Sequence, residues 1–185
     1  MFTLPESALE TMGLSVGATF GGGEPVEEGR ASDLVGAREA ALRLLSVRAR
    51  TRSELAQRLT RKGHAAAVVA RVIDGLAAAG LVDDRAFAEL WADERMRRRP
   101  VGRRRLSQEL RLKGVPPRVA DEVVDRAFGE HPERALALRA ARSWARRSAA
   151  GARERERLFA MLVRRGFARS TAIEVVREVM GERDE

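Results

Sequence analysis

Leu55, Leu59 and Gly63 stand four residues apart, and the same Leu-x3-Leu-x3-Gly spacing returns as Leu106, Leu110, Gly114 and as Leu158, Leu162, Gly166. Leucines at that spacing lie one turn apart on a helix face, and a glycine just beyond suits a left-handed helix end. Each glycine is followed by four apolar residues at the same offsets: Val69, Val72, Ile73 and Leu76; Ala120, Val123, Val124 and Ala127; Ala172, Val175, Val176 and Val179. That is an i, i+3, i+4, i+7 stripe, the buried face of a further helix. Seven matching positions in three copies, 51 and 52 residues apart, describe one helical module used three times. Modules this small bury little core alone, so neighbouring copies are expected to pack end to end as an elongated array, straight or curved.

The remaining signals complete a three-helix unit. In the first copy a helix runs from Ala37 to about Val47, with Ala41, Leu44 and Leu45 on one side. Thr51-x-x-Glu54 announces the second helix, because the Thr hydroxyl can accept from the Glu54 amide. The third helix stops at Gly80. The second copy opens at Asp83-Asp84, which suit a helix start, with Phe87, Leu90 and Trp91 as its apolar face. Pro100 and Gly102 break the chain before the next helix, and Pro116-Pro117 begin another. The third copy starts near Pro132, with Leu136, Ala140 and Trp144 on its first helix. The expected fold class is therefore all-α: a flexible acidic arm over 1–36, then three-helix repeats over 37–82, 83–130 and 131–185.

Composition agrees with helices, since aromatics are only 4% and Tyr is absent, leaving Ala, Leu and Val to build the core. No run of apolar residues is long enough to cross a membrane and no signal peptide is readable, so a soluble, intracellular, cytoplasmic protein is expected. With no cysteine there is no thiolate metal site. His64 follows a helix-ending glycine and His131 sits in a linker, so no zinc set and no cofactor is expected. Asp83-Asp84 and Asp121-Glu122 lie at or near helix starts, where the dipole favours acids. Gly21-Gly-Gly23 is followed by Glu rather than Lys, so it is no phosphate loop. An enzyme is not expected.

The formal net charge of +8 is unevenly spread. Residues 1–36 hold six acids and one Arg, a balance of −5, leaving 34 bases and 21 acids, or +13, for the rest. A helical body this basic points to a polyanionic partner. The densest segment runs from Arg97-Arg98-Arg99 through Arg103-Arg104-Arg105 to Arg111 and Lys113. Arg103 to Arg105 fall in the first turn of a helix, where the dipole makes each exposed cation unfavourable by roughly 0.3–1 kcal/mol. A solvated charged face would account for such a run, but contact with phosphate or an acidic surface offsets the repulsion. A second face, Arg139, Arg142 and Arg146, is spaced i, i+3, i+7 along one helix. Arg153, Arg155 and Arg157 are interrupted by Glu154 and Glu156. Trp91 and Trp144 sit on apolar stripes and read as core before they read as stacking platforms.

Over 37–181 the chain resembles the RecX family of bacterial recombination regulators. The resemblance is carried by Leu55-Ala-Gln-Arg-Leu-Thr-Arg-Lys-Gly63, Gly80-Leu-Val-Asp-Asp-Arg-Ala-Phe-Ala88 and Gly102-Arg-Arg-Arg-Leu-Ser-Gln-Glu-Leu-Arg-Leu-Lys-Gly114, in that order and spacing. It implies tandem three-helix repeats that bind the RecA recombinase filament on DNA and modulate, usually inhibit, its ATPase and strand exchange, with roles in repair, homologous recombination and the SOS response. Expected partners are thus the RecA filament and single-stranded or duplex DNA, met through the basic faces by a monomer. Two other readings stay open: a helix-turn-helix-like protein that binds duplex DNA directly, and an adaptor that binds only protein. The first suffers because the third helices begin His64-Ala-Ala-Ala and Pro116-Pro-Arg, poor in groups that read base edges. The acidic arm lies outside the resemblance; it is either an unselected leader or a competitor for the basic body.

Overall fold

The computed structural model describes residues 25–148 and 153–184, and the chain divides after Asp83 into two compact units. Among the described residues all regular structure is helical. The first unit holds α1 (Pro25–Val47), α2 (Arg52–Arg61) and α3 (Ala66–Ala78). The second holds α4 (Asp84–Arg98), α5 (Arg103–Leu112) and α6 (Pro117–Glu130), then α7 (Glu133–Ala145), α8 (Glu154–Arg164) and α9 (Arg169–Asp184).

The local chemistry of the ends explains these boundaries. Thr51 Oγ1 accepts from the Glu54 amide at 3.0 Å, satisfying one orphan donor at the start of α2. Pro117 occupies the first position of α6, where its missing N–H costs nothing. Gly63, Gly114 and Gly166 have φ of 94°, 76° and 81°, the left-handed conformation that the repeat requires of its glycine.

Two expectations are corrected. The first helix begins at Pro25 rather than Ala37, so the last part of the arm expected over 1–36 is helical. Its residues reach the first unit: Leu34 packs against that core, and Asp33 Oδ1 lies 2.7 Å from His64 Nδ1. Residues 1–24 lie outside the described residues. On α4, Leu90 is not on the apolar face but 62% exposed. Ala88, Ala92 and Met96 form the buried row at i, i+4, i+8, and Leu90 lies about 200° around the helix from Ala88.

The repeat leucines are the innermost side chains, since Leu55, Leu59, Leu106, Leu110, Leu158 and Leu162 all show 0% exposure. Full burial of each contributes about 1.5–3 kcal/mol. The first unit closes its core with Ala37, Ala41 and the α3 stripe. In the second unit the two remaining repeats share one continuous core, from Phe87 and Met96 to Val175 and Met180. Their junction is a backbone contact. The Gly102 amide donates to the Arg165 carbonyl at 2.9 Å, and a Cβ on Gly102 would stand 2.1 Å from the Gly166 oxygen.

Candidate polyanion interface

Packing repeat 2 against repeat 3 brings the C-terminal ends of α4, α7 and α8 around one groove of about 670 Å³. Eight arginines line it, Arg97, Arg98 and Arg99 from the end of α4, Arg139, Arg142, Arg146 and Arg147 from α7 and its end, and Arg165 from the cap of α8, with Pro100, Ala140 and Ser143 between them. No carboxylate is among the lining residues. The basic runs at 97–99 and 139–146, separate in the sequence, are therefore one surface.

Helix geometry makes that density tolerable. Each helix C-terminus carries partial negative charge, and a cation there gains roughly 0.3–1 kcal/mol. Arg139 Nη2 goes further and donates to the Arg97 carbonyl at 2.9 Å. Arg98 is paired with Glu94 at 3.3 Å and Arg142 approaches Glu178 at 3.7 Å. Among the described residues no ion pair to a carboxylate is formed by Arg97, Arg99, Arg146, Arg147 or Arg165. Arg165 is the least exposed arginine of the groove, and its pKa is lowered, first by burial and then by Arg147 and Arg99.

The arginines at 103–105 lie elsewhere and are treated differently. Arg103 Nη1 is paired with Asp125, its guanidinium lies 5.2 Å from the Phe128 ring, and its amide donates to Glu133 Oε1 at 3.1 Å. Arg105 Nε donates to Glu109 Oε1 at 3.0 Å. The acids that the helix start lacks in sequence are thus supplied by α6, by α7 and by a later turn of α5. Arg104 remains exposed beside a cavity of about 720 Å³, whose lining alternates Arg103, Arg104 and Arg169 with Asp121, Asp125 and Glu133. Arg111 donates to Asp121 at 3.2 Å, and Lys113 Nζ sits 4.8 Å from the Trp91 ring centre. Of the residues singled out in the sequence, Arg97, Arg98, Arg99, Arg139, Arg142 and Arg146 converge, while Arg103, Arg105, Arg111 and Lys113 are held by internal partners.

Sequence reasoning missed Glu109 and Arg165. Glu109 is only 9% exposed, and besides Arg105 it accepts from Arg95 Nε at 2.7 Å and Trp91 Nε1 at 3.2 Å. Trp91 is thereby tied to the scaffold, with Arg95 4.8 Å over its ring. Trp144 is partly buried against the shared core. Arg165 did leave a signal: the residue before the repeat glycine is Lys62, Lys113 and Arg165 in turn, each capping its helix. The carboxylates at 121–122 are ion-pair partners, and Arg85 and Arg118 hold Glu122 below its usual pKa by donating hydrogen bonds to it. Among the described residues no group of three His, Asp or Glu side chains is placed to hold a metal ion, and no helix is long and apolar enough to cross a membrane.

Comparison with known proteins matches residues 37–76 to the first three-helix domain of RecX and residues 83–124 to the second. These ranges fall on α1 to α3 and α4 to α6. The regulatory protein RecX of Mycobacterium sp. (strain KMS) is 43% identical over 153 residues, covering 77% of this chain and 81% of that protein. That of Mycobacterium tuberculosis is 40% identical over 158 residues, covering 80% and 88%. In the fold, a crystal structure of RecX from Lactobacillus salivarius superposes with a TM-score of 0.66 at 21% identity, over 80% of this chain and 97% of that one. A second crystal structure of a regulatory protein RecX gives 0.69 at 22% identity, over 95% and 87%.

Proposed function

Because the chain belongs to the RecX family of regulatory proteins, we propose that it binds the RecA recombinase filament on DNA and restrains its ATPase and strand exchange, without catalysing a reaction of its own. The observation that carries the reading is the groove of eight arginines with no acid in its lining. Its size suits an extended polyanion, and guanidinium forks suit phosphate or carboxylate. Pairing across it would remove the mutual repulsion of Arg97, Arg99, Arg146, Arg147 and Arg165.

A direct duplex reader is less well supported. The start of α6 offers Arg118, whose Nε is committed to Glu122 at 3.0 Å, then the apolar Val119 and Ala120 and the acids Asp121 and Glu122. Base edges need hydrogen-bonding side chains at such a position. The groove, by contrast, is built for charge and not for sequence.

The test is RecA ATPase on single-stranded DNA with this protein added below one molecule per recombinase monomer. The proposal predicts a fall in the rate. An unchanged rate at saturating addition contradicts it.

A further inference from the structure

Within the groove one point is more constrained than the rest. Arg165 is the least exposed of its arginines, yet no carboxylate pairs with it among the described residues. Burial lowers its pKa, and so do the charges of Arg147 and Arg99, both of its own sign. Its backbone is held firmly, because its carbonyl accepts the Gly102 amide at 2.9 Å. Arg99 enters the same linker, followed by the buried Pro100 and Val101. Three guanidinium groups thus line one groove where repeat 2 meets repeat 3, and among the described residues no carboxylate pairs with any of them.

We infer that Arg99, Arg147 and Arg165 form a discrete phosphate site, and that an anion bound there clasps repeats 2 and 3 together. A tetrahedral phosphate offers several acceptor oxygens to three planar donor forks, which a single carboxylate does not match. Arg99 belongs to repeat 2, and Arg147 and Arg165 to repeat 3, so the ligand bridges the junction fixed by Gly102. Any ligand that binds the folded junction better than the unfolded chain stabilises it by mass action. The phosphate can be the diester of a nucleic-acid strand or a free inorganic species. Only the first source rests on the proposed function.

The experiment is thermal unfolding of the full chain titrated with inorganic phosphate, tripolyphosphate, oligothymidylate and, as a carboxylate control, polyglutamate. Tripolyphosphate should raise the Tm saturably, with at least about tenfold weaker apparent affinity for Arg165→Gln and for the exposed double variant R99Q/R147Q. Arg104→Gln, on the other cavity, should respond as the parent does. In phosphate-free buffer Arg165→Gln should melt no lower than the parent, because it removes an unpaired cation rather than a contact; a merely structural arginine would melt lower. Equal stabilisation by polyglutamate, or an undiminished tripolyphosphate response in both variants, overturns the site. Stabilisation by tripolyphosphate and not by oligothymidylate keeps the site and assigns it to free phosphates. Loss of the ATPase effect with the phosphate response intact tells against the filament reading alone, and the reverse tells against the site alone.

Discussion

Glu109 decides more at the residue level than its charge suggests. Its two oxygens take hydrogen bonds from Trp91, Arg95 and Arg105, joining α4 to α5 within repeat 2. The aligned residues in the other repeats are Arg58 and Met161, so this hub is peculiar to the second copy. Glu109→Ala strands three donors that are partly withdrawn from water, and the loss expected is about 1.5–3 kcal/mol by urea unfolding. Arg105→Ala should cost less, since its side chain is nearly half exposed and Glu109 keeps its other partners. A Glu109→Ala cost below about 0.5 kcal/mol would contradict the hub. In the sequence Glu109 is one acid on an arginine-rich helix, and no local pattern marks it as buried. Only the approach of α4 reveals that it is buried, and that approach depends on Ala88 and Ala92 rather than on Leu90.

Helices and their ends were legible wherever the determining contacts are local. Thr51 and Glu54, the apolar stripes after each glycine, and the glycines themselves act over one or two turns, so spacing alone located them. Two elements were not. The N-terminal part of α1 carries no sustained period, and what places it is a tertiary contact, Asp33 with His64 and Leu34 with the first core. Of the junction glycines, Gly102 was read only as a breaker and Gly166 only as a helix end, whereas both also let two backbones approach closely. Three substitutions separate these roles. Gly63→Ala meets open space and bears only the left-handed penalty, about 1–2 kcal/mol. Gly166→Ala bears the same penalty plus overpacking, because its Cβ would lie 2.4 Å from Arg105 Cβ, a further 1–3 kcal/mol. Gly102→Ala, with ordinary φ, shows the overpacking alone. Equal costs for Gly63→Ala and Gly166→Ala in chemical unfolding would rule out the tight junction.

For the molecule as a whole, the three-copy motif revealed the scaffold but not the surface. Leu106, Leu110 and Gly114 recur because every copy must bury the same face. The groove arises between copies, from residues more than 40 positions apart such as Arg97 and Arg139, and no single-repeat pattern encodes it. The arginines unfavourably placed at a helix start, 103–105, pointed to a contact there, but Arg103 and Arg105 are already paired with internal acids. The groove arginines that form no ion pair among the described residues, Arg97, Arg99, Arg146, Arg147 and Arg165, stand at helix C-terminal ends, where the dipole favours cations and local rules raise no objection. Central to this account is that the groove is the face that meets the filament. The most direct measurement is RecA filament disassembly on single-stranded DNA, followed with the parent chain, with the exposed groove variant R97Q/R98Q/R146Q, and with R104Q. The account predicts that the parent and R104Q change the disassembly rate alike while the groove variant, folded by circular dichroism, loses at least about tenfold in potency. A groove variant as potent as the parent would contradict it.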